Sequence, residues 1–203
     1  MGDQAVVSDD ELMAAVSRGD PAAFAALFRR RKTDVYRFAL HMTGSPAAAD
    51  DITQDVFLAV MRDAGRFETG RATVTAWLCG IARNYARRRS ARELTLTALL
   101  DEPDGSHPQV PTVDPDPVAD MTRAERVAAV RRAVLRLPFK YREVIVLCDL
   151  QEMSYADAAA GLGCAIGTIR SRLHRGRALL ADKLASSGAG CAPVKAHRSG
   201  CFA

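Results

Sequence analysis

Long alternating runs rich in Val, Ile and Thr are missing from this chain of 203 residues, while Ala, Leu and Arg dominate it. Period-2 strands are therefore not expected, and an all-α fold is. No apolar run is long enough to cross a bilayer and no N-terminal signal peptide is present, so membrane insertion and secretion are not expected. The five cysteines, Cys79, Cys148, Cys164, Cys191 and Cys201, are odd in number, widely spaced and never arranged as C-x-x-C. Reduced thiols in a cytosolic protein are the natural reading. A phosphate-cradling glycine loop, a nucleophile elbow and a carboxylate pair beside a histidine are also lacking, so no catalytic role is expected and the chain is read as a non-enzyme.

What is present is arginine, unevenly placed. The formal charge is only +4, but arginines concentrate at 83–92 and again at 170–177. Between these clusters, residues 94–121 carry Asp101, Glu102, Asp104, Asp114, Asp116 and Asp120 with no Lys or Arg. The helix punctuation divides the chain in the same way. Ser8 with Glu11 forms a capping-box start, Gly19 ends that helix, and Asp20-Pro21 starts the next. Gly44 then Ser45-Pro46 repeat the stop and start, a third helix runs to about Gly65, and a fourth spans about Thr73 to Arg92. Residues 8–93 are thus expected to form a four-helix bundle. Residues 94–116, with Pro103, Pro108, Pro111 and Pro115 among acids, read as a flexible acidic linker. Asp116-Pro117 is the expected start of a second helical domain, 117–185, whose first helix would turn Val127, Val130, Val134 and Leu137 to one face. A tail, 186–203, is expected to be disordered.

Residues 154–184, SYADAAAGLGCAIGTIRSRLHRGRALLADKL, have the layout of a helix-turn-helix. Ser154 and Asp157 make a capping signal, Ala158, Ala159 and Ala160 keep the first helix slim, and Gly163 suits a left-handed stop. On the second helix Ile166, Ile169, Leu173 and Leu180 are expected to share the buried face. That leaves Thr168, Ser171, Arg172 and Arg175 opposite, with Arg170, His174 and Arg177 at the flanks. Guanidinium and hydroxyl groups in that array suit base edges and phosphates.

The third and fourth helices carry different chemistry. On the third, Ile52, Val56 and Val60 are expected to be buried, while Asp51, Gln54, Asp55 and Leu58 form a mixed surface that suits protein docking better than DNA. On the fourth, TVTAWLCGIARNYARRRSAR, aromatics stand beside cations, as on surfaces that stack bases and neutralise phosphates of a single strand. Core packing is the ordinary alternative for Trp77 and Tyr85.

Three segments in this order, DDITQDVFLAVMRDAGRF, GRATVTAWLCGIARNYARRR and LPFKYREVIVLCDLQEMSYADAAAGLGCAIGTIRSRLHRGRALL, resemble bacterial sigma factors of the extracytoplasmic-function (ECF) group of the sigma-70 family. The resemblance implies a promoter-specificity subunit that binds core RNA polymerase at its largest-subunit clamp and its flap, and also promoter DNA. By that likeness Asp51, Gln54, Asp55 and Leu58 would hold the clamp, Asp55 standing where the family usually has Glu. Arg66, Thr69, Arg71, Trp77, Arg83, Asn84, Arg87 and Arg88 would read and melt the −10 element, with the 66–75 loop offering a pocket for a flipped base. Thr168, Arg170, Ser171, Arg172, His174 and Arg175 would read the −35 element. The linker would thread the polymerase's nucleic-acid channels in place of RNA. An anti-sigma factor is a further partner the resemblance allows, holding a cytoplasmic, nucleoid-associated protein at the membrane.

The tail sets Cys191, His197 and Cys201 within reach of a zinc- or copper-type ion, a candidate sensor. Their spacing is not a recognised metal motif and no fourth ligand is specified, so the reading taken is a plain tail and no cofactor. Two competing functions are a stand-alone duplex-binding regulator, which leaves the third and fourth helices idle, and a thiol or metal enzyme using the scattered cysteines.

Overall fold

A computed structural model describes residues 7–100 and 122–186, with side chains through Arg92 and from Thr122 onward. The described residues form eight α-helices and no strand, as the missing period-2 runs predict. The first four are α1 (Asp9–Ser17), α2 (Pro21–Thr43), α3 (Pro46–Asp63) and α4 (Val74–Leu100), with a 3₁₀ turn at Ala64–Arg66. The second four are α5 (Arg123–Leu135), α6 (Phe139–Ile145), α7 (Tyr155–Leu162) and α8 (Ile166–Ser186). A π-helical segment, Val146–Leu150, continues α6.

The starts and stops follow local chemistry. The Ser8 hydroxyl accepts from the Glu11 N–H at 3.2 Å and the Glu11 carboxylate accepts from the Ser8 N–H at 2.7 Å, so both orphan donors are satisfied. Those bonds hold the Glu11 carboxyl below its ordinary pKa. Asp20 caps α2 with Pro21 at the first position, and Gly44, at φ 73°, ends it in the left-handed region. Ser45-Pro46 repeats the start for α3.

Two boundaries differ from expectation. The backbone of α4 stays helical to Leu100, so the first residues assigned to the linker continue the helix instead. No proline or glycine falls between Ile81 and Leu100 to interrupt it. The Asp116-Pro117 start and most of the expected linker lie outside the described residues. The helix that is described, α5, begins after Thr122, whose hydroxyl and Glu125 form a second capping box. Of the face expected to be apolar, Val134 and Leu137 are buried, Val127 is 42% exposed, and Ala129 and Ala133 are buried beside them. The small alanines let α5 lie close on its neighbours.

In the first group α2 is the central helix, packed on α1, α3 and α4. Leu27, Val35, Phe38, Val56, Val60 and Leu78 are fully buried there. In the second, α6 and α8 pack together around Val144, Ile145, Ile169 and Leu173. These are not separate cores. The buried side chains of both groups form one continuous cluster, with α4 lying on α7 and α2 on α5.

Arg142 is a staple between the groups. Its Nη1 donates to the Met42 carbonyl at the end of α2 at 2.6 Å, and its Nη2 donates to the carbonyls of Leu135 and Leu137. Arg142→Met keeps much of the stem but orphans those carbonyls. It is expected to lower unfolding stability by about 2–3 kcal/mol, the scale of hydrogen bonds to a charged group. A urea denaturation midpoint unchanged from wild type would show that the staple contributes nothing.

Candidate functional site

The α3 surface is two surfaces. Ile52, Val56 and Val60 face inward as expected, and the Thr53 hydroxyl is satisfied by the Ala49 carbonyl at 2.7 Å. Gln54 and Leu58 border a groove of about 710 Å³. Phe24, Phe28 and Phe57 line it, with ring centroids 4.8–6.4 Å apart, and Lys32 lies over the Phe28 ring. Leu58 is 49% exposed and Met61 62% exposed at its rim. Two large apolar side chains are thus left in water beside aromatic rings, a contiguous apolar patch of the kind soluble proteins rarely leave uncovered. Asp51 and Asp55 instead line a neighbouring groove with Tyr85, Arg88 and Arg92, and Arg89 reaches Asp51 at 3.4 Å. The expected quartet is therefore divided between two grooves. Phe24, Phe28, Tyr36 and Met61 were not foreseen, although Phe24, Phe28 and Lys32 recur at four-residue spacing on α2, a helical face the sequence does display.

The loop after α3 and the start of α4 form a second site. Phe67 meets Trp77 edge-on at 5.8 Å, and Gly70 turns the loop at φ 85°. Arg71 pairs with Glu68 at 3.1 Å and Arg66 lies 3.5 Å from Asp63, all near the surface. Arg66, Arg71, Trp77, Arg83 and Asn84 surround a cavity of about 410 Å³, whose far wall is Ala160 to Gly163 of α7. Trp77 is half-buried, Leu78 fully buried, and Thr69, Asn84, Arg87 and Arg88 are exposed.

Arg83 departs from the expected open basic face. Its Nε donates to Glu143 of α6 at 2.6 Å. Glu143 is 1% exposed, and its other oxygen accepts from Arg172 of α8 at 3.0 Å.

The helix-turn-helix is built as the sequence reads. Ser154 accepts from the Asp157 N–H at 3.0 Å, and Gly163 closes α7 at φ 63°. Ile169 and Leu173 are buried, while Ile166, expected beside them, is 42% exposed. It opens the helix, where no preceding turn covers it. Arg170, Ser171, His174 and Arg175 are exposed; Thr168 is half-buried. Arg172, expected to be exposed, points to Glu143. Arg177 grips Asp149 through two bonds, of 2.6 and 3.0 Å, which raises its pKa.

Cys79, Cys148 and Cys164 are free thiols, and among the described residues no cluster of His, Cys, Asp and Glu has metal-site geometry. Cys191, His197 and Cys201 lie outside the described residues. No described helix is long and apolar enough to cross a membrane.

An exposed apolar groove, a loop beside a half-buried tryptophan and an exposed helix-turn-helix fit a transcription protein of the promoter-recognition class. Residues 27–93 match Sigma-70 region 2 and residues 128–180 match Sigma-70 region 4. The chain is 40% identical over 178 residues to ECF RNA polymerase sigma factor SigM of Mycobacterium tuberculosis, covering 87% of this chain and 85% of the relative. It is 30% identical over 174 residues to ECF RNA polymerase sigma factor SigW of Bacillus subtilis, covering 83% and 92%. The solved structure of CnrH in complex with the cytosolic domain of CnrY is similar at a TM-score of 0.63 and 26% identity, covering 88% of this chain and 97% of that one. RpoE bound to the anti-sigma factor NepR, from Bartonella quintana, is similar at 0.59 and 29%, covering 80% and 96%. This chain belongs to the ECF group of sigma-70 family RNA polymerase sigma factors, which direct transcription initiation by binding core polymerase and promoter DNA and perform no catalysis.

Burial, then the nearby Asp34 charge, pushes the Cys79 thiol up to about 12, and its Sγ lies 3.7 Å from Gln151 Oε1. Cys79 is expected to resist alkylation by iodoacetamide at pH 8 in the native protein and to react on denaturation, since only the thiolate attacks. Mass spectrometry of the labelled peptide checks this; rapid native labelling would contradict the burial.

Proposed function

We propose that the groove between α2 and α3 seats the clamp of core polymerase, that the 66–73 loop with α4 takes the melted −10 strand, and that α8 enters the −35 major groove. The observation that carries this reading is the exposed Leu58–Met61 rim over an aromatic floor. A stand-alone duplex binder has no use for such a seat next to a strand surface. Arg87, Arg88, Asn84 and Trp77, with Arg66, Thr69 and Arg71 on the loop, present the cations and the ring that a single strand requires. Arg170, Ser171, His174 and Arg175 present the donors for duplex edges and phosphates, with Thr168 beside them, while Arg172, paired with buried Glu143, positions the helix. The carboxylates between Asp101 and Asp120 support a connector that follows the RNA path in polymerase. Because the similar RpoE is held by an anti-sigma factor, a partner of that kind is proposed here too, and the cytoplasm, where core polymerase resides, is the proposed compartment.

Run-off transcription with purified core polymerase on genomic fragments tests the reading. Leu58→Glu with Met61→Glu should reduce core affinity by at least tenfold, about 1.4 kcal/mol, and by more than Asp51→Ala, which lies outside the apolar groove. Equal competition for core by the double variant and wild type would refute the seat. Arg175→Ala should weaken −35 binding by about 1–3 kcal/mol if it reads a base, measured as holoenzyme occupancy on duplexes with and without the element.

A further inference from the structure

The helix α8 is held at its two edges as well as along its buried stripe. Ile169, Leu173 and Gly176 are buried and form that stripe. At about 100° per residue, Arg172 and Arg177 lie roughly 70° to either side of it. Each meets a carboxylate from the helical stretch that precedes the helix-turn-helix. Arg172 donates to Glu143 of α6 at 3.0 Å, and Arg177 grips Asp149 of the π turn through two bonds, of 2.6 and 3.0 Å. Both carboxylates stand on a fixed backbone. Val144, Ile145, Val146 and Leu147 are buried, and the Gln151 N–H closes the π turn on the Val146 carbonyl at 3.0 Å.

Apolar contact is non-directional, so a buried stripe resists lifting a helix off its neighbours better than it resists rolling the helix about its axis. A forked guanidinium–carboxylate pair is directional. With one pair on each edge, a roll of α8 in either sense stretches one of them. Arg170, Ser171, His174 and Arg175, exposed on the side away from the stripe, take their aim from that roll. At a radius of about 6 Å, a roll of about 20° moves a side chain by about 2 Å, well beyond the range of hydrogen-bond lengths. We propose that Asp149 and Arg177 are specificity-positioning residues: with Glu143 and Arg172 they fix the roll of α8, and Arg177 spends its fork on Asp149 and not on DNA. This rests on the reading of α8 as the −35 helix. An exposed ion pair contributes little to folding, and the role assigned to this one is angular.

The test falls on Asp149 and Arg177, because Glu143 also holds Arg83 and its variants would mix two effects. The readout is discrimination by holoenzyme, its affinity for a fluorescein-labelled promoter duplex divided by that for the same duplex with the −35 element scrambled. Removing an acid beside a DNA-binding helix would, by charge alone, tighten binding to any duplex. Asp149→Asn should instead lower discrimination by at least about fivefold, the low end of what one bidentate base contact is worth. Arg177→Lys keeps the cation and loses the fork. It should lower discrimination as well, with helical circular dichroism and the salt dependence of binding unchanged. Wild-type discrimination in both variants would overturn the proposal. So would an Arg177→Gln holoenzyme that binds both duplexes more weakly by the same factor with a salt slope smaller by about one, the mark of a lost phosphate contact. An error in the reading of α8 shows separately: Arg175→Ala holoenzyme would then discriminate as wild type does, whatever the variants at Asp149 and Arg177 do.

Discussion

A carboxylate at the centre of a helical protein is a demanding group, and Glu143 sets the terms for most of what surrounds it. Moving an ionised carboxylate out of water costs several kcal/mol even after relaxation, and only well-placed cations and hydrogen bonds offset that cost. Glu143 meets the requirement with two guanidinium groups, from α4 and from α8. Its neighbour Arg142 faces the opposite problem, a half-buried cation, and answers it with carbonyls at the end of α2 and around Leu135 and Leu137. Two adjacent residues on the short helix α6 thereby fix where α2, α4 and α8 stand. The helix-turn-helix is oriented by polar constraints as much as by the Ile169 and Leu173 packing beneath it.

Apolar packing supplies the complementary condition. Arginines reach Glu143 from both domains only because α4 and α7 approach to backbone contact at Gly80, Ala76 and Gly161. Glycine inside a helix costs about 1 kcal/mol relative to alanine, so two at one crossing are expensive unless the crossing itself is useful. The run Ala158-Ala159-Ala160 has a related role. On sequence grounds it thins α7 for the neighbouring α8; in the structure the same slim helix, through Gly161, also admits α4. A single surface serves the local motif and the long-range contact.

Most of the architecture was legible because its signals are local. Ser8, Asp20, Ser45 and Ser154 cap helices with their own side chains, and Gly44 and Gly163 stop them in the left-handed region. The overrun of α4 to Leu100 is hidden in the sequence because the prolines and acids that mark the linker begin only after Leu100, while the reading assigns residues 94–100 to it with them. Thr122 was passed over as a start in favour of Asp116-Pro117, the more familiar dipeptide. The site was less legible. Arg83 and Arg172 have the right type and spacing for DNA, and nothing nearby in sequence reveals a carboxylate 60 or 29 positions away. The aromatic floor under Gln54 and Leu58 comes from α2, and only the pairing of α2 with α3 brings it there. Periodicity predicts which face is apolar; it does not say which helix will lie against it.

The charged residues therefore divide into two sets with different physical behaviour. Arg87, Arg88, Arg170 and Arg175 are exposed, and there they contribute a long-range attraction to polyanions that salt screens. Arg83 and Arg172 are already neutralised by a carboxylate, so a phosphate or base edge must compete for them. A guanidinium binds carboxylate and phosphate with similar planar geometry. Exchanging one for the other is thus near balance, and whether a guanidinium is already paired decides its worth to DNA as much as its place on a helix does. The exposed Leu58–Met61 rim is a surface of a third kind, apolar and suited to neither polyanion nor carboxylate.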